Sequence, residues 1–167
     1  MAPVIIAPYD PAWPAMFEAE RALIDRQLAG YVVAGIEHVG STSVPGLAAK
    51  PVIDIMVGVA SLEAAWPAVP LLEPLGYGYF PYKPEVMHWL CKPSPELRTH
   101  HVHLIAAGSR PWHERLAFRD RLRDDAELRA AYVRLKLELA ARHGDDREAY
   151  TAHKAGFIER VVARALG

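Results

Sequence analysis

Residues 38–54, His-Val-Gly-Ser-Thr-Ser-Val-Pro-Gly-Leu-Ala-Ala-Lys-Pro-Val-Ile-Asp, constrain the fold more than any other stretch of the chain. They join an apolar strand expected at 31–39 to a second one at 52–59 through a turn of small, hydroxylated residues. A Gly-Ser turn that opens a short helix presents free backbone N–H groups and hydroxyls, the donors that a phosphate needs. Asp54 follows on the second strand, where a carboxylate could hold a metal ion against the same phosphate.

The surrounding elements follow from local signals. Asp10 before Pro11 reads as an N-cap, opening a helix that runs to about Leu28 and stops at Gly30. Ser61 caps a helix that Pro67 and Pro70 must break or kink. The run 76–82, Gly-Tyr-Gly-Tyr-Phe-Pro-Tyr, reads as a turn-rich connection, and 86–92 and 99–106 read as strands. Pro111 opens a helix, Asp124-Asp125 ends it and caps the next, and Gly144 terminates that one. On this second helix Leu128, Tyr132, Leu135 and Leu139 form an apolar stripe. Asp145 with Glu148 resembles a capping box for a last helix, on which Tyr150, Lys154, Phe157 and Val161 recur at helical spacing. Helix, strands, then helices is an α+β order with a small mixed sheet, expected as one domain over 1–167. Its sheet core would occupy about 31–108 and its C-terminal helices about 111–167.

A net charge of −1 points to no nucleic-acid-binding surface. The longest apolar runs fall short of a membrane span, and Met-Ala-Pro-Val does not read as a signal peptide, so a cytoplasmic location is expected. The single cysteine, Cys91, forms no internal disulfide framework.

The spacing of Gly40, Ser41 and Asp54 resembles that of the nucleotidyltransferase superfamily, in which Gly-Ser follows one strand and a carboxylate pair lies on the next. The wording HVGSTSVPGLAAKPVIDI is more narrowly similar to the GrpB-like family, which is assigned to that superfamily. The likeness extends through Tyr9-Asp10 with Trp13, His101-Val-His103, Phe118-Arg119-Asp120, Tyr132 with Lys136, and Tyr150 with Lys154. It implies a nucleotidyltransferase-like small mixed sheet flanked by helices. It also implies metal-dependent transfer from a nucleoside triphosphate to a small-molecule acceptor. In that reading Gly40, Ser41, Thr42, Ser43 and Lys50 bind phosphate. Arg119, Arg123, Tyr132, Lys136, Tyr150 and Lys154 clamp a triphosphate from the helices.

One position departs from the superfamily pattern. The second strand reads Asp54-Ile55-Met56 where acid-x-acid is wanted. Alternation puts Asp54 and Met56 on one face, about 6.5–7 Å apart. A thioether is no ligand for a hard cation such as Mg²⁺. His101 and His103 lie on one strand face, where two imidazoles can share a metal, and His38 could converge with them on Asp54. Such a set suits Zn²⁺ or Mn²⁺ better than Mg²⁺. Asp54 and His103 are the candidate catalytic pair. Three readings stay open: nucleotidyl transfer, a non-catalytic nucleotide- or phosphate-binding domain, and a metal-dependent hydrolase built on His38, Asp54, His101 and His103.

Overall fold

A computed structural model of the protein describes residues 5–167. Helix α1 (Trp13–Gln27) begins later than Asp10-Pro11 predict. The Asp10 carboxylate accepts the Ala12 N–H at 2.8 Å, closing an Asx turn ahead of the helix instead of capping it. Its buried stripe is Trp13, Phe17, Glu20 and Ile24. Glu20 is tolerated there because the Tyr77 hydroxyl (2.8 Å) and the Lys92 amine both donate to it.

Strand β1 (Ile36–Val39) is shorter than the apolar run 31–39. The N–H groups of Val33 and Ala34 both turn onto the Gly58 carbonyl, at 2.8 and 3.3 Å, so the chain enters the sheet only after Gly35. A single 3-10 turn (Ser41–Ser43) leads toward β2 (Ile53–Val59). Helix α2 (Leu62–Ala65) is capped by the Ser61 hydroxyl, which accepts the Ala64 N–H at 3.0 Å. It passes at once into a 3-10 segment (Trp66–Leu75) carrying Pro70 and Pro74, as prolines without an N–H require. The aromatic connection that follows is not wholly turn: Gly78 and Tyr79 pair with Cys91 and Leu90 as the edge strand β3 (Gly78–Tyr79).

Strands β4 (His88–Pro93) and β5 (Arg98–Ala106) complete a five-stranded sheet in the order β1-β2-β5-β4-β3. Only the β2–β5 pair is parallel, so the expected small mixed sheet is what forms. Paired residues share a face of the sheet. Register therefore puts Asp54, Met56, His101, His103 and Trp89 on one face, and His38, Ile55 and Val102 on the other. The second face packs on α1 and the 3-10 segment through Ile53, Ile55, Val57, Val102 and Leu104. The first packs through Val39, Met56, Ile105 and Trp112 on helix α3 (Arg110–Asp124).

Helix α4 (Ala126–His143) is capped by Asp125, as expected, and α5 (Arg147–Leu166) by Asp146 rather than Asp145. With α3 they close over the loop after β1, where Val44 and Leu47 meet Leu122 of α3, Tyr132 of α4 and Phe157 of α5. The buried positions of α4 are Tyr132, Lys136 and Leu139, so a lysine replaces Leu135 in the innermost row. Among the described residues no helix is long and apolar enough to cross a membrane.

Candidate functional site

The centre of the first sheet face is a carboxylate between two imidazoles. Asp54 Oδ1 lies 3.0 Å from His101 Nδ1 and 3.3 Å from His103 Nε2. Burial opposes the Asp54 charge, but hydrogen bonds from His101 and His103 outweigh it and hold the carboxyl well below the usual carboxylate range. Burial likewise pushes His103 down against the pull of Asp54, leaving a neutral ring that donates to an ionised carboxylate. A quarter of the Asp54 side chain remains exposed, so water and small solutes reach it.

These three residues also fit a metal ion. One ligand atom from each lies within 4.8 Å of the others. A tetrahedral site with metal–ligand bonds of about 2.0–2.1 Å has ligand–ligand edges of about 3.3 Å, close to the separations found. Among the described residues the support behind them is thin: His103 Nδ1 has only Met87 Sδ, at 3.2 Å, and the buried His101 Nε2 has no partner.

Three lysines gather on the turn side of Asp54. Lys136, almost fully buried, donates to Ser41 Oγ at 3.0 Å and to the Ala48 carbonyl at 2.7 Å. Its amine lies 4.8 Å from the centre of the Tyr132 ring. Burial first, then repulsion from Lys154 and Lys50, lowers it to about 7. Lys154 is lowered to about 8 by burial and Lys50, with Asp54 pulling the other way. Lys50 is lowered mainly by burial. The amines of Lys50 and Lys154 sit 5.5 and 5.2 Å from the Tyr150 ring centre. The Tyr150 hydroxyl is buried without a partner among the described residues, and burial pushes it up to about 12. No carboxylate comes within 4.0 Å of these three amines among the described residues. When protonated, these three amines face one anion in a poorly hydrated place, a balance that an oligoanion would correct.

Gly40 makes the close approach possible. Its φ of 73° and ψ of −179° belong to a region essentially reserved for glycine, and a Cβ there would clash with Asp54 Oδ2.

Other expected residues serve the framework. The Thr42 hydroxyl donates to the Val52 carbonyl at 2.9 Å and pairs with His38 Nε2 at 3.0 Å; the Ser43 hydroxyl donates to the Gly40 carbonyl. Both are buried, leaving Ser41 as the turn's hydroxyl beside the lysines. His38 does not converge on Asp54. It lies on the opposite sheet face, stacked on Phe17 with ring centres 4.8 Å apart, and burial lowers it to about 4. Arg119 is bound to Glu37 (2.8 Å), Asp120 (2.9 Å) and the His38 carbonyl (3.1 Å), and Arg123 to the Ser43 carbonyl (3.0 Å). They brace α3 against β1 and the turn. The residue missed was Arg115, whose Nη2 reaches Met87 Sδ at 3.7 Å beside His103. Its signal was the spacing Arg115, Arg119, Arg123, one helical stripe continued a turn back.

The family described as "GrpB protein" matches residues 3–164. The chain is 41% identical over 165 residues to a UPF0157 protein of Pseudomonas aeruginosa, covering 96% of this chain and 67% of that protein. It is 42% identical over 162 residues to a UPF0157 protein of Deinococcus radiodurans, covering 96% and 81%. The crystal structure of the conserved protein GrpB from Enterococcus faecalis superposes with a TM-score of 0.87 at 36% identity, covering 97% of both chains. Cid1 in complex with its short product ApU superposes with a TM-score of 0.52 at 15% identity, covering 78% of this chain and 42% of Cid1, a likeness of fold alone. The architecture is nucleotidyltransferase-like.

Proposed function

The chain belongs to the GrpB family, and on that footing we propose that it binds a nucleoside triphosphate and transfers its nucleotidyl group to a small-molecule acceptor. The observation that carries this reading is the set of three acid-free lysines beside the ionised Asp54, with Lys136 buried against Ser41 and Lys50 and Lys154 half-buried over the Tyr150 ring. Ser41 and Lys136 hold the outer phosphates, and Lys154 and Lys50 neutralise the departing pyrophosphate. Tyr132 and Tyr150 form the apolar walls behind these amines.

Asp54, His101 and His103 would hold a divalent ion, whose chemistry when bound is to polarise the phosphoryl group under attack. One carboxylate with two imidazoles favours Mn²⁺ or Zn²⁺ over Mg²⁺. In the metal-free state the His103 Nε2–H donates to Asp54 while its Nδ1 lies against Met87 Sδ, so Asp54, a quarter of whose side chain is exposed, is the base open to the acceptor's proton.

A second reading, a nucleotide- or phosphate-binding domain without turnover, has its own support. Met56 is fully buried among Val39, Met87, Trp89, Ile105 and Trp112, so the place of a second carboxylate belongs to the core. The hydrolase reading is weakened by the loss of His38 from the set.

Calorimetry with nucleoside triphosphates, with and without Mg²⁺, Mn²⁺ and Zn²⁺, followed by release of pyrophosphate over an acceptor panel, separates these readings. Binding that Lys136→Ala abolishes, with turnover, supports transfer. Binding without turnover supports the second reading, and no nucleotide binding overturns both.

A further inference from the structure

The charges around Asp54 fall into two groups, and one phosphate chain on the lysines accounts for only one of them. The lysines lie toward the turn after β1, where Lys136 is fixed to Ser41 and Ala48. Toward β4 stand two arginines: Arg98 opens β5 opposite Pro93, and Arg115 reaches Met87, the residue before β4. Arg115 is half-buried on α3, and burial lowers its guanidinium although Asp54 and Glu114 attract it. Among the described residues its one side-chain hydrogen bond is to Met87 Sδ at 3.7 Å, a weak acceptor. Arg98 lies 5.1 Å over the Trp89 ring and donates to the Pro95 carbonyl at 2.8 Å. Neither has a carboxylate within 4.0 Å among the described residues.

The contrast within α3 is informative. Arg119 and Arg123, one and two turns further along, spend their N–H groups on protein oxygens. Arg115 spends almost none of its five, in a place where burial makes an unpaired charge costly. It is also next to the chemistry: the sulfur it touches lies 3.2 Å from His103 Nδ1. Trp89, 7% exposed, packs on the same Met87 side of the sheet, with its ring centre 4.9 Å from that of His101 and 6.0 Å from that of Tyr82. A rigid fork of donors beside an aromatic wall suits a planar or tetrahedral oxyanion attached to a small organic body.

We infer that the acceptor is itself an anion, a phosphate- or carboxylate-bearing small molecule that docks on Arg115, with Arg98 and Trp89 beside it. This inference rests on the transfer reading for the word acceptor, whereas the anion site at Arg115 stands by itself. In the reaction an acceptor oxygen forms its bond to the α-phosphorus while the bond to the β-phosphate breaks. The acceptor's proton goes to the neighbouring base, and the pyrophosphate leaves along the lysines.

The test uses the full chain with inorganic phosphate, and separately acetate, as probes. The tryptophan indole N–H signals are followed by NMR in the wild type, Arg115→Gln, Arg98→Gln and Lys136→Gln. The expected result is an anion-dependent shift of the Trp89 signal that Arg115→Gln weakens at least tenfold and Lys136→Gln leaves in place. Arg115→Lys, which keeps the charge and loses the fork, should fall between. Melting curves confirm folding, and Arg98→Gln gives a second variant should Arg115→Gln not fold. Phosphate and acetate together report which oxyanion is preferred. An unchanged Trp89 response in Arg115→Gln and Arg98→Gln overturns the inference while leaving nucleotide binding at the lysines standing. Loss of nucleotide binding with the Trp89 response intact sinks the transfer reading instead. If turnover is found, Arg115→Gln should raise KM for anionic acceptors tenfold or more without changing KM for the nucleotide. Neutral acceptors used as well as anionic ones would count against the inference.

Discussion

Asp54 lies directly across from His101 in the parallel β2–β5 pair, and their side chains meet at 3.0 Å. A hydrogen bond or a shared ion joins two residues that are 47 apart in the chain, on the face that the C-terminal helices cover. The same register sets Met56 against His103, so one imidazole faces a carboxylate and the other faces the position where a second carboxylate is wanted. The chemistry of the site follows from that pairing.

Metal binding should reflect this mixed donor set. Metal-free protein titrated calorimetrically should bind Zn²⁺ or Mn²⁺ more tightly than Mg²⁺, and Asp54→Asn should remove the heat. Because the outer partners are a thioether and nothing at all, affinity should be about 10–100-fold below that of a site with full support. A clear Mg²⁺ preference would refute this arrangement.

The lysines predict a pH dependence. Lys136 titrates at about 7 in the folded protein against 10.5 when unperturbed. Between about 7 and 10.5 the unfolded chain binds more protons, so the apo protein should gain stability as pH rises across that window. Lys136→Met should flatten the rise in urea-unfolding midpoint, with Lys154 accounting for what remains. Added pyrophosphate should stabilise most at the acidic end, where both amines are charged, and progressively less above pH 8. A midpoint that falls steadily from pH 7 to 10 would contradict the buried lysines.

Met56→Asp tests the missing carboxylate. The position is fully buried in an apolar cluster, so the exchange should cost about 3 kcal/mol or more in the absence of metal. Mg²⁺ should recover part of that loss, because a second hard ligand then stands on the face of Asp54. Melting with and without Mg²⁺ measures it; a loss indifferent to Mg²⁺ would show that residue 56 does not reach the ion.

Gly40→Ala should destabilise by about 1–3 kcal/mol from the backbone alone and by more from the collision with Asp54. Gly46→Ala is the control, since its φ is 80° but nothing lies within 4 Å of an added Cβ. Denaturant unfolding of the two variants isolates the collision. Equal losses would mean that Asp54 yields freely.

Local physics made much of the fold legible. Ser61 and Asp125 cap the helices that they precede because a side-chain oxygen next to free N–H groups needs no distant partner. Where two acids stood together, as at Asp145 and Asp146, the choice turned on one residue of helix register, and the cap fell on Asp146. The resemblance of the 38–54 stretch correctly implied the nucleotidyltransferase-like sheet. The edge strand at Gly78–Tyr79 escaped notice because two residues carry no alternation to read.

The sequence alone determined that Asp54 shares a face with Met56, and His101 with His103, because side chains alternate along any strand. It determined the Gly-Ser turn between two strands and the helical spacing that sets Lys136 beside Tyr132. Only the tertiary structure decided which faces coincide. Pairing register put Asp54 opposite His101 and turned His38 away to Phe17, since a shift of one residue reverses every side chain of a strand. Only packing buried Lys136, half-buried Lys154 and made Arg119 structural, because helical spacing says which residues are neighbours and not what lies across from them. The site is a set of contacts between residues far apart in the chain, and such contacts exist only once the layers close.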